Sequence, residues 1–334
     1  MTAVLVVRLS AMGDFVHGIA ALQALHRARP DWQLAVLTQA ANAPLLDGVA
    51  GIRRVHCFDR RGGLRAVARA ARELRRERFD IALDFQGNWK SALLTRLSGA
   101  RRRLGAAPRW RQEPASRVLL NETVALSGPN HPAAVAVALV RHVAAAAEPT
   151  PLHLLATTAE IARERAALTA LGIDSERAFR VVVVTDAADP RALRPATIVH
   201  ELRRGGLPTV LLQGPAERDP APAGAPLLRH GPGEVRRLIA LGNLVAAAGG
   251  EAVGPDQGAS HVLVAAGAIV RMLYGAQDPA CTAPAGAHVF VAPQPPACSP
   301  CRAPRCRHPE GPVCMAFTLD DARRLSAGGS SASP

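Results

Sequence analysis

Three groups of residues in this sequence are of types and spacings that could do chemistry. The first is one carboxylate, Asp14, in Leu9-Ser10-Ala11-Met12-Gly13-Asp14, directly after the apolar run Ala3-Val4-Leu5-Val6-Val7-Arg8. A carboxylate at or near a helix N-terminus can be held by backbone N–H groups and still face a cleft, or it can be no more than an N-cap. The second is Gly254-Pro255-Asp256-Gln257-Gly258-Ala259-Ser260-His261. Asp256 is a candidate N-cap there. The following N–H groups, with Gly258 permitting close approach, could hold a diphosphate at the positive end of a helix, with His261 one turn in. The alternative is a well-capped helix with a partly buried histidine. The third is Cys298, Cys301, Cys306 and Cys314, spaced C-x2-C-x4-C-x7-C in a Pro- and Arg-rich stretch. Four thiolates so spaced could hold structural zinc or iron, with His308 able to replace one. Reduced thiols and two adventitious disulfides compete with that reading. Cys57 and Cys281 look isolated.

These groups need a scaffold, and the apolar patterning supplies one. Strands are expected at 3–8, 33–38, 53–58, 80–84 and 101–104, alternating with helices at 15–29, 62–78 and 87–98. The helix over Gly62–Arg78 is expected to bury Leu64, Val67, Ala68, Ala71 and Leu74 and to show arginines to solvent. An Ala-rich helix fits 132–147. The second half repeats the scheme, with strands at 179–184, 208–212, 244–247, 269–274 and 288–291 and helices at 158–171, 195–204, 233–240 and 258–266. Pro220–Pro226 reads as a loop, and the small, polar segment 327–334 as a disordered tail. Strands separated by helices of this length imply right-handed βαβ units and parallel sheets. The fold class is therefore α/β, with two Rossmann-like domains joined near 150–175 and a cleft between them. Asp14 would then lie at the carboxyl end of a strand, where open parallel sheets place ligands.

Composition narrows the partners. A chain of 334 residues with 49% hydrophobic residues can bury a sizeable core. Its 40 basic and 27 acidic residues leave a net charge of +13, which favours an anionic partner. Aromatics are only 3%, and none interleave with basic residues as a base-stacking platform requires, so nucleic acid is not expected. The N-terminus lacks a secretory pattern and no long uncharged apolar run is present, so a cytoplasmic protein is expected.

Taken together, the motifs resemble glycosyltransferase family 9, the ADP-heptose:lipopolysaccharide heptosyltransferases. Ser10-Ala11-Met12-Gly13-Asp14-Phe15-Val16-His17 is similar to the family's amino-terminal signature. Phe79-Asp80-Ile81-Ala82-Leu83-Asp84-Phe85-Gln86-Gly87-Asn88-Trp89-Lys90-Ser91 is similar to its "YDxxxDxQGxxKS", and residues 254–261 to its "GxDTGxxH". Tyr274-Gly275-Ala276-Gln277-Asp278-Pro279 resembles "FGPTDP", and the cysteines with Met315 resemble a cluster near the end of many members. The resemblance runs in order from about residue 3 to about 325.

The resemblance implies a GT-B fold, two Rossmann-like domains facing each other across a cleft. Residues 1–155 would bind the acceptor and 176–318 the nucleotide-sugar. It implies inverting, metal-independent sugar transfer, with no catalytic cofactor and with Asp14 matching the proposed general base. An ADP-heptose-like donor would lie near Gly13, Asp256, Gln257, Gly258, Ser260 and His261. Arg60, Arg61, Arg65 and Lys90 would meet an anionic glycolipid acceptor at a peripheral membrane surface, the inner face of the cytoplasmic membrane. Arg101, Arg102, Arg103, Arg109 and Arg111 form a second basic group near that edge. Three departures stand out. The Lys that in many members contacts the donor corresponds to Ala192, so Arg191 or Arg194 would supply its charge. Gln257 replaces the threonine of "DTG", and Asp186 and Asp189 bring negative charge toward a diphosphate. A non-catalytic or altered-donor nucleotide-sugar-binding protein on the same scaffold is the second reading, and a basic nucleic-acid-binding protein the third.

Overall fold

The computed structural model describes residues 1–214, 222 and 224–325. The expected tail at 327–334 and part of the 220–226 loop lie outside these described residues. The chain divides into two compact units, Met1–Leu152 and His153–Pro334.

In the first unit, β1 (Ala3–Val7), α1 (Met12–Ala28), β2 (Gln33–Thr38), β3 (Ile52–Cys57) and α2 (Gly63–Arg76) are followed by β4 (Ile81–Asp84), α3 (Trp89–Leu97), β5 (Arg102–Ala106), β6 (Glu122–Val124) and α4 (Pro132–Val143). The sheet order is β3-β2-β1-β4-β5-β6, and all pairings are parallel. Strand direction of travel reverses between β1 and β4, so the crevice beyond their carboxyl ends is the topological switch point. Leu5, Val7, Ala35, Leu37 and Ala82 form one core layer against Ala66, Ala70 and Leu74 of α2. Burying Leu74 alone contributes about 2 kcal/mol. The buried stripe of α2 is thus 66, 70 and 74, with Val67 at its margin. Leu64 and Ala68 lie outside it, contrary to expectation, and Leu64 in the helix's first turn is 88% exposed.

The second unit contains α5 (Thr158–Ala170), β7 (Arg180–Val184), α6 (Pro195–Arg203), β8 (Thr209–Gln213), β9 (Leu227–Arg229) and α7 (Val235–Ala247). Then come β10 (Glu251–Pro255), α8 (Gly258–Ala265), β11 (Ile269–Tyr274), α9 (Pro279–Thr282), β12 (His288–Val291) and β13 (Arg323–Arg324). Its sheet runs β13-β12-β11-β10-β7-β8-β9, parallel except for the β12–β13 pair. The switch point here lies between β7 and β10. The strand expected at 244–247 is instead the last turn of α7. Apolar residues continue at helical spacing through Val245, and Gly242 lets α8 approach, since a Cβ there would sit 2.5 Å from that of Ala266. Gly249 at φ +67° ends the helix and Gly250 N–H donates back to Val245 O. The true strand, Glu-Ala-Val-Gly-Pro, carries Gly254 and Pro255, residues that argue against a strand on sequence alone.

Candidate active site

Asp14 is the third residue of α1. Ala11, not Asp14, is the N-cap, and no side chain caps this helix. The carboxylate meets a cation from its own strand end: Arg8 Nη2 lies 2.6 Å from Asp14 Oδ2. The Arg8 side chain is 5% exposed and that of Asp14 27%. Burial pushes the Arg8 guanidinium below its ordinary pKa, while Asp14 and Asp84 favour its charged form. Arg8 Nη1 donates to Phe85 O at 2.6 Å, and Leu9 N–H donates to Gln86 Oε1 at 2.8 Å, so the β1 and β4 turns are fastened together. Asn42 Nδ2 donates to Leu9 O from the β2 side. The Asp14 turn is therefore braced by both neighbouring strands, which is the preorganisation a base needs.

The β4 turn has its own buried anchor. Asp84 and Arg111, both fully buried, pair at 2.7 Å, and Asp84 Oδ1 accepts from the N–H groups of Gln86 and Gly87. Gly87 is at φ +80°, and a Cβ there would sit 3.3 Å from the Arg111 backbone. Arg111 thus leaves the basic group in which the sequence placed it. Arg102 leaves it too, pairing with Glu122 at 2.7 Å. Asn88 and Ser91 form a reciprocal capping box that starts α3, and Lys90 is exposed in its first turn. Arg60, Arg61 and Arg65 are exposed where β3 passes into α2, and Arg60 Nη1 lies 3.4 Å from Ser10 Oγ, four residues before Asp14. The structure so brings Arg60 beside the Asp14 turn. Arg61, Arg65 and Lys90 lie on the same carboxyl edge of the sheet.

In the second unit, Gln257 is the N-cap of α8, not Asp256. Asp256 is 7% exposed and both its oxygens are engaged. Oδ1 lies 2.8 Å from His261 Nε2, and Oδ2 accepts from Thr282 Oγ1 at 3.1 Å. Burial, with the Asp256 carboxylate alongside, pushes the Tyr274 hydroxyl well above its ordinary range. No side chain caps α8, so the N–H groups of its first turn face the partly exposed surface around Gln257, Gly258 and Ala259. Ser260 and His261 are buried, and a Cβ on Gly254 would sit 2.5 Å from Ser260 Oγ. Gly254 therefore allows β10 and α8 to meet closely, and Ser260 does not reach the surface.

The loop after β7 answers the charge problem posed by its two aspartates. Arg191 grips Asp189 with two bonds, 2.9 and 2.7 Å, and also donates to Asp256 O at 3.1 Å. Gln257 Nε2 donates to Asp189 Oδ2 at 2.8 Å. Burial pushes the Asp189 carboxyl up, but Arg191 and Gln257 together hold it below its ordinary range. Asp186 caps its own turn through Ala188 N–H. Ala192 is fully buried, so the position matching the family's Lys faces the core. Arg194, half-buried at the start of α6, reaches Ala187 O at 3.5 Å.

Comparison with known proteins adds to this geometry. Residues 67–223 match the model of glycosyltransferase family 9 (heptosyltransferase). Solved structures share the fold. A family 9 glycosyl transferase from Veillonella parvula is 17% identical over 86% of this chain and 85% of its own, with a TM-score of 0.70. The E. coli heptosyltransferase WaaC with ADP is 20% identical over 86% and 92%, TM-score 0.64. The E. coli ADP-heptose lps heptosyltransferase II is 20% identical over 87% and 90%, TM-score 0.65. No curated protein matches the chain. The two Rossmann-like units are those of a GT-B fold.

The cysteine loop departs from expectation. Cys298, Cys301, Cys306, Cys314 and His308 line one cavity of about 360 Å³. They do so at different depths: Cys298 and Cys301 are exposed, Cys306 is half-buried and Cys314 is buried. Among the described residues no three His, Cys, Asp or Glu side chains are placed to hold a metal ion, so the expected zinc or iron is not supported. Burial and the three neighbouring thiols push the Cys314 thiol up to about 11. The loop is instead fastened to the Tyr274-Gly275 turn. Ser299 Oγ donates to Gly275 O, Arg302 N–H donates to Ala276 O, and a Cβ on Gly275 would collide with Cys314 O at 2.5 Å. Cys281 is not isolated, because Arg302 reaches both its sulfur and Asp278. Among the described residues no helix is long and apolar enough to cross a membrane.

Proposed function

We propose that this glycosyltransferase moves a sugar, heptose from its ADP conjugate, with inversion and without a metal, to an anionic lipopolysaccharide-core-like acceptor at the inner face of the cytoplasmic membrane. The observation that carries the reading is the Arg8–Asp14 pair, in which the cation takes one carboxylate oxygen and leaves the acid a quarter exposed at the switch point. Asp14 Oδ1 accepts the acceptor hydroxyl's proton as that oxygen bonds to the anomeric carbon. The anomeric carbon–phosphate oxygen bond breaks on the opposite face, and its electron pair leaves with the nucleoside diphosphate. The N–H groups of Gly258 and Ala259 and the guanidinium of Arg194 offset the charge that develops on the leaving group. Arg191 is committed to Asp189 and the Asp256 carbonyl, so its part is to hold the turn. Asp256 and His261 brace it from beneath. Arg60, Arg61, Arg65 and Lys90 face the acceptor's phosphates, which guanidinium groups bind in bidentate fashion.

One observation favours a second reading, a nucleotide-sugar-binding protein without turnover. The family's donor-contacting Lys is here the buried Ala192. A panel of nucleotide-sugars scored by thermal shift and by nucleoside diphosphate release separates the two. Release with ADP-heptose and a phosphorylated core acceptor supports the enzyme. Stabilisation by a nucleotide-sugar with no release under any acceptor supports the binding protein.

A further inference from the structure

The first unit carries an apolar surface that transfer chemistry does not use. Leu64 is 88% exposed, Trp89 46%, Leu93 38% and Val118 66%. Scattered apolar residues on a surface need no explanation, but these are grouped by the fold. Leu64 lies in the first turn of α2 and Trp89 in the first turn of α3, and the two helices pack together. Both first turns rise from the carboxyl edge of the sheet, the edge that bears Asp14. Trp89 and Leu93 are one helical turn apart and form one stripe. Val118 belongs to the 3-10 turn 114–119, which packs on α3.

The charges around this stripe are mostly positive. Lys90, Arg96 and Arg117 are exposed, and among the described residues none makes an ion pair. Residues 89–97 and 114–119 contain no acidic residue. Glu113 lies between them, and its carboxylate accepts from the Trp89 N–H at 2.5 Å, capping α3. Arg65 stands beside Leu64 on α2. An aromatic ring and aliphatic side chains set among unpaired cations match the headgroup layer of an anionic bilayer, where the rings sit between acyl chains and lipid phosphates and the cations meet the negative surface.

We propose that the exposed face made by the first turns of α2 and α3 docks on an anionic phospholipid bilayer, inserting Leu64, Trp89 and Leu93 among the headgroups. This inference deepens the reading of a lipid-borne acceptor, because the docked face shares an edge with the predicted base. A substrate fixed in a membrane would reach Asp14 without leaving the bilayer.

The test scores binding without sugar transfer, so it stands apart from the enzymatic reading. The full chain is sedimented with vesicles of phosphatidylcholine alone and of phosphatidylcholine with phosphatidylglycerol. Binding to the second and not the first is expected, weakening as salt rises and by about fivefold for each of the surface cations replaced by a neutral residue. The L64S/W89S/L93S variant alters only exposed side chains, and its circular dichroism should match wild type. It should lose at least about tenfold in vesicle affinity. W89F should keep binding but lose the tryptophan quenching caused by brominated acyl chains. Undiminished vesicle binding by the folded triple variant overturns the proposal. So does a concentration-dependent dimer of wild type that the triple variant abolishes, which would assign the face to a second copy of the chain. Activity on a water-soluble core acceptor should be unchanged in the triple variant, whichever reading of the donor holds.

Discussion

Asp14 and Asp256 stand on opposite sides of the switch points of their two units and have opposite fates. Each follows a strand that borders a switch point, β1 in one unit and β10 in the other, and each sits where a helix begins. Asp14 shares one oxygen with Arg8, and its side chain remains 27% exposed. Asp256 gives one oxygen to His261 and the other to Thr282, and is 7% exposed. The buried partner of Asp14 is a permanent cation that itself rests on a carbonyl of the next strand. Such an arrangement fixes a carboxylate in place and leaves a lone pair for a substrate. The arrangement around Asp256 buries the group and engages both of its oxygens with the protein, so that acid shapes a turn. Position at a switch point therefore nominates a residue for chemistry, and the partner's geometry decides whether it serves.

The sharpest way to break this comparison is to neutralise each acid in turn. Asp14→Asn should reduce kcat for sugar transfer by about 10²- to 10⁴-fold, with unchanged circular dichroism and donor affinity. Asp256→Asn should instead cost about 1–3 kcal/mol of stability and weaken donor binding, read by thermal denaturation and titration with the nucleotide-sugar. A matching loss of kcat without destabilisation in Asp256→Asn would erase the distinction. Next in size is Arg8→Met, which frees the Asp14 carboxylate. It should lower kcat about tenfold, because a misplaced base transfers protons poorly, and leave the donor KM unaltered. A donor KM effect larger than the kcat effect would mean that Arg8 serves the donor instead.

The smallest effect concerns the second unit alone. Two bonds from Arg236 hold the Glu160 carboxyl at about 2, below its ordinary 4.5. Its charged form is favoured in the folded chain, so the stability it adds is complete above pH 4.5 and is lost as pH falls toward 2. Glu160→Gln should melt earlier than wild type at pH 7, by a few degrees at most, and the gap should narrow as pH falls below 4.5 and close only near pH 2. A gap that does not narrow between pH 4.5 and pH 2 would place the contribution in packing or capping and not in charge.

Much of this was legible in the sequence for a physical reason. Strand-length apolar runs alternating with helical patterns fix βαβ units locally, and the five motifs lie where those units turn. The missing parts depend on contacts distant in the chain. Arg111 looked like one more surface arginine, and only its encounter with Asp84, 27 residues away, makes it a buried anchor. Asp256 looked like a cap because Asp before a helix usually is one, yet His261 and Thr282 compete for its oxygens. The β10 strand was misplaced because Gly254 and Pro255 hide its pattern while α7 runs on through apolar residues that suit either structure. The cysteine spacing suggested a metal, but the loop's attachment to Gly275 and Ala276 spreads the thiols over different depths.

In the proposed reaction Asp14 removes a proton and never bonds to the sugar. The anomeric configuration of the transferred sugar, read by NMR of the product from wild-type enzyme, tests this most directly. A configuration opposite to that of the donor is expected, the outcome of a single displacement by the acceptor oxygen. Retention of the donor's configuration would contradict it, because two displacements would then have occurred, with a side chain as the first nucleophile.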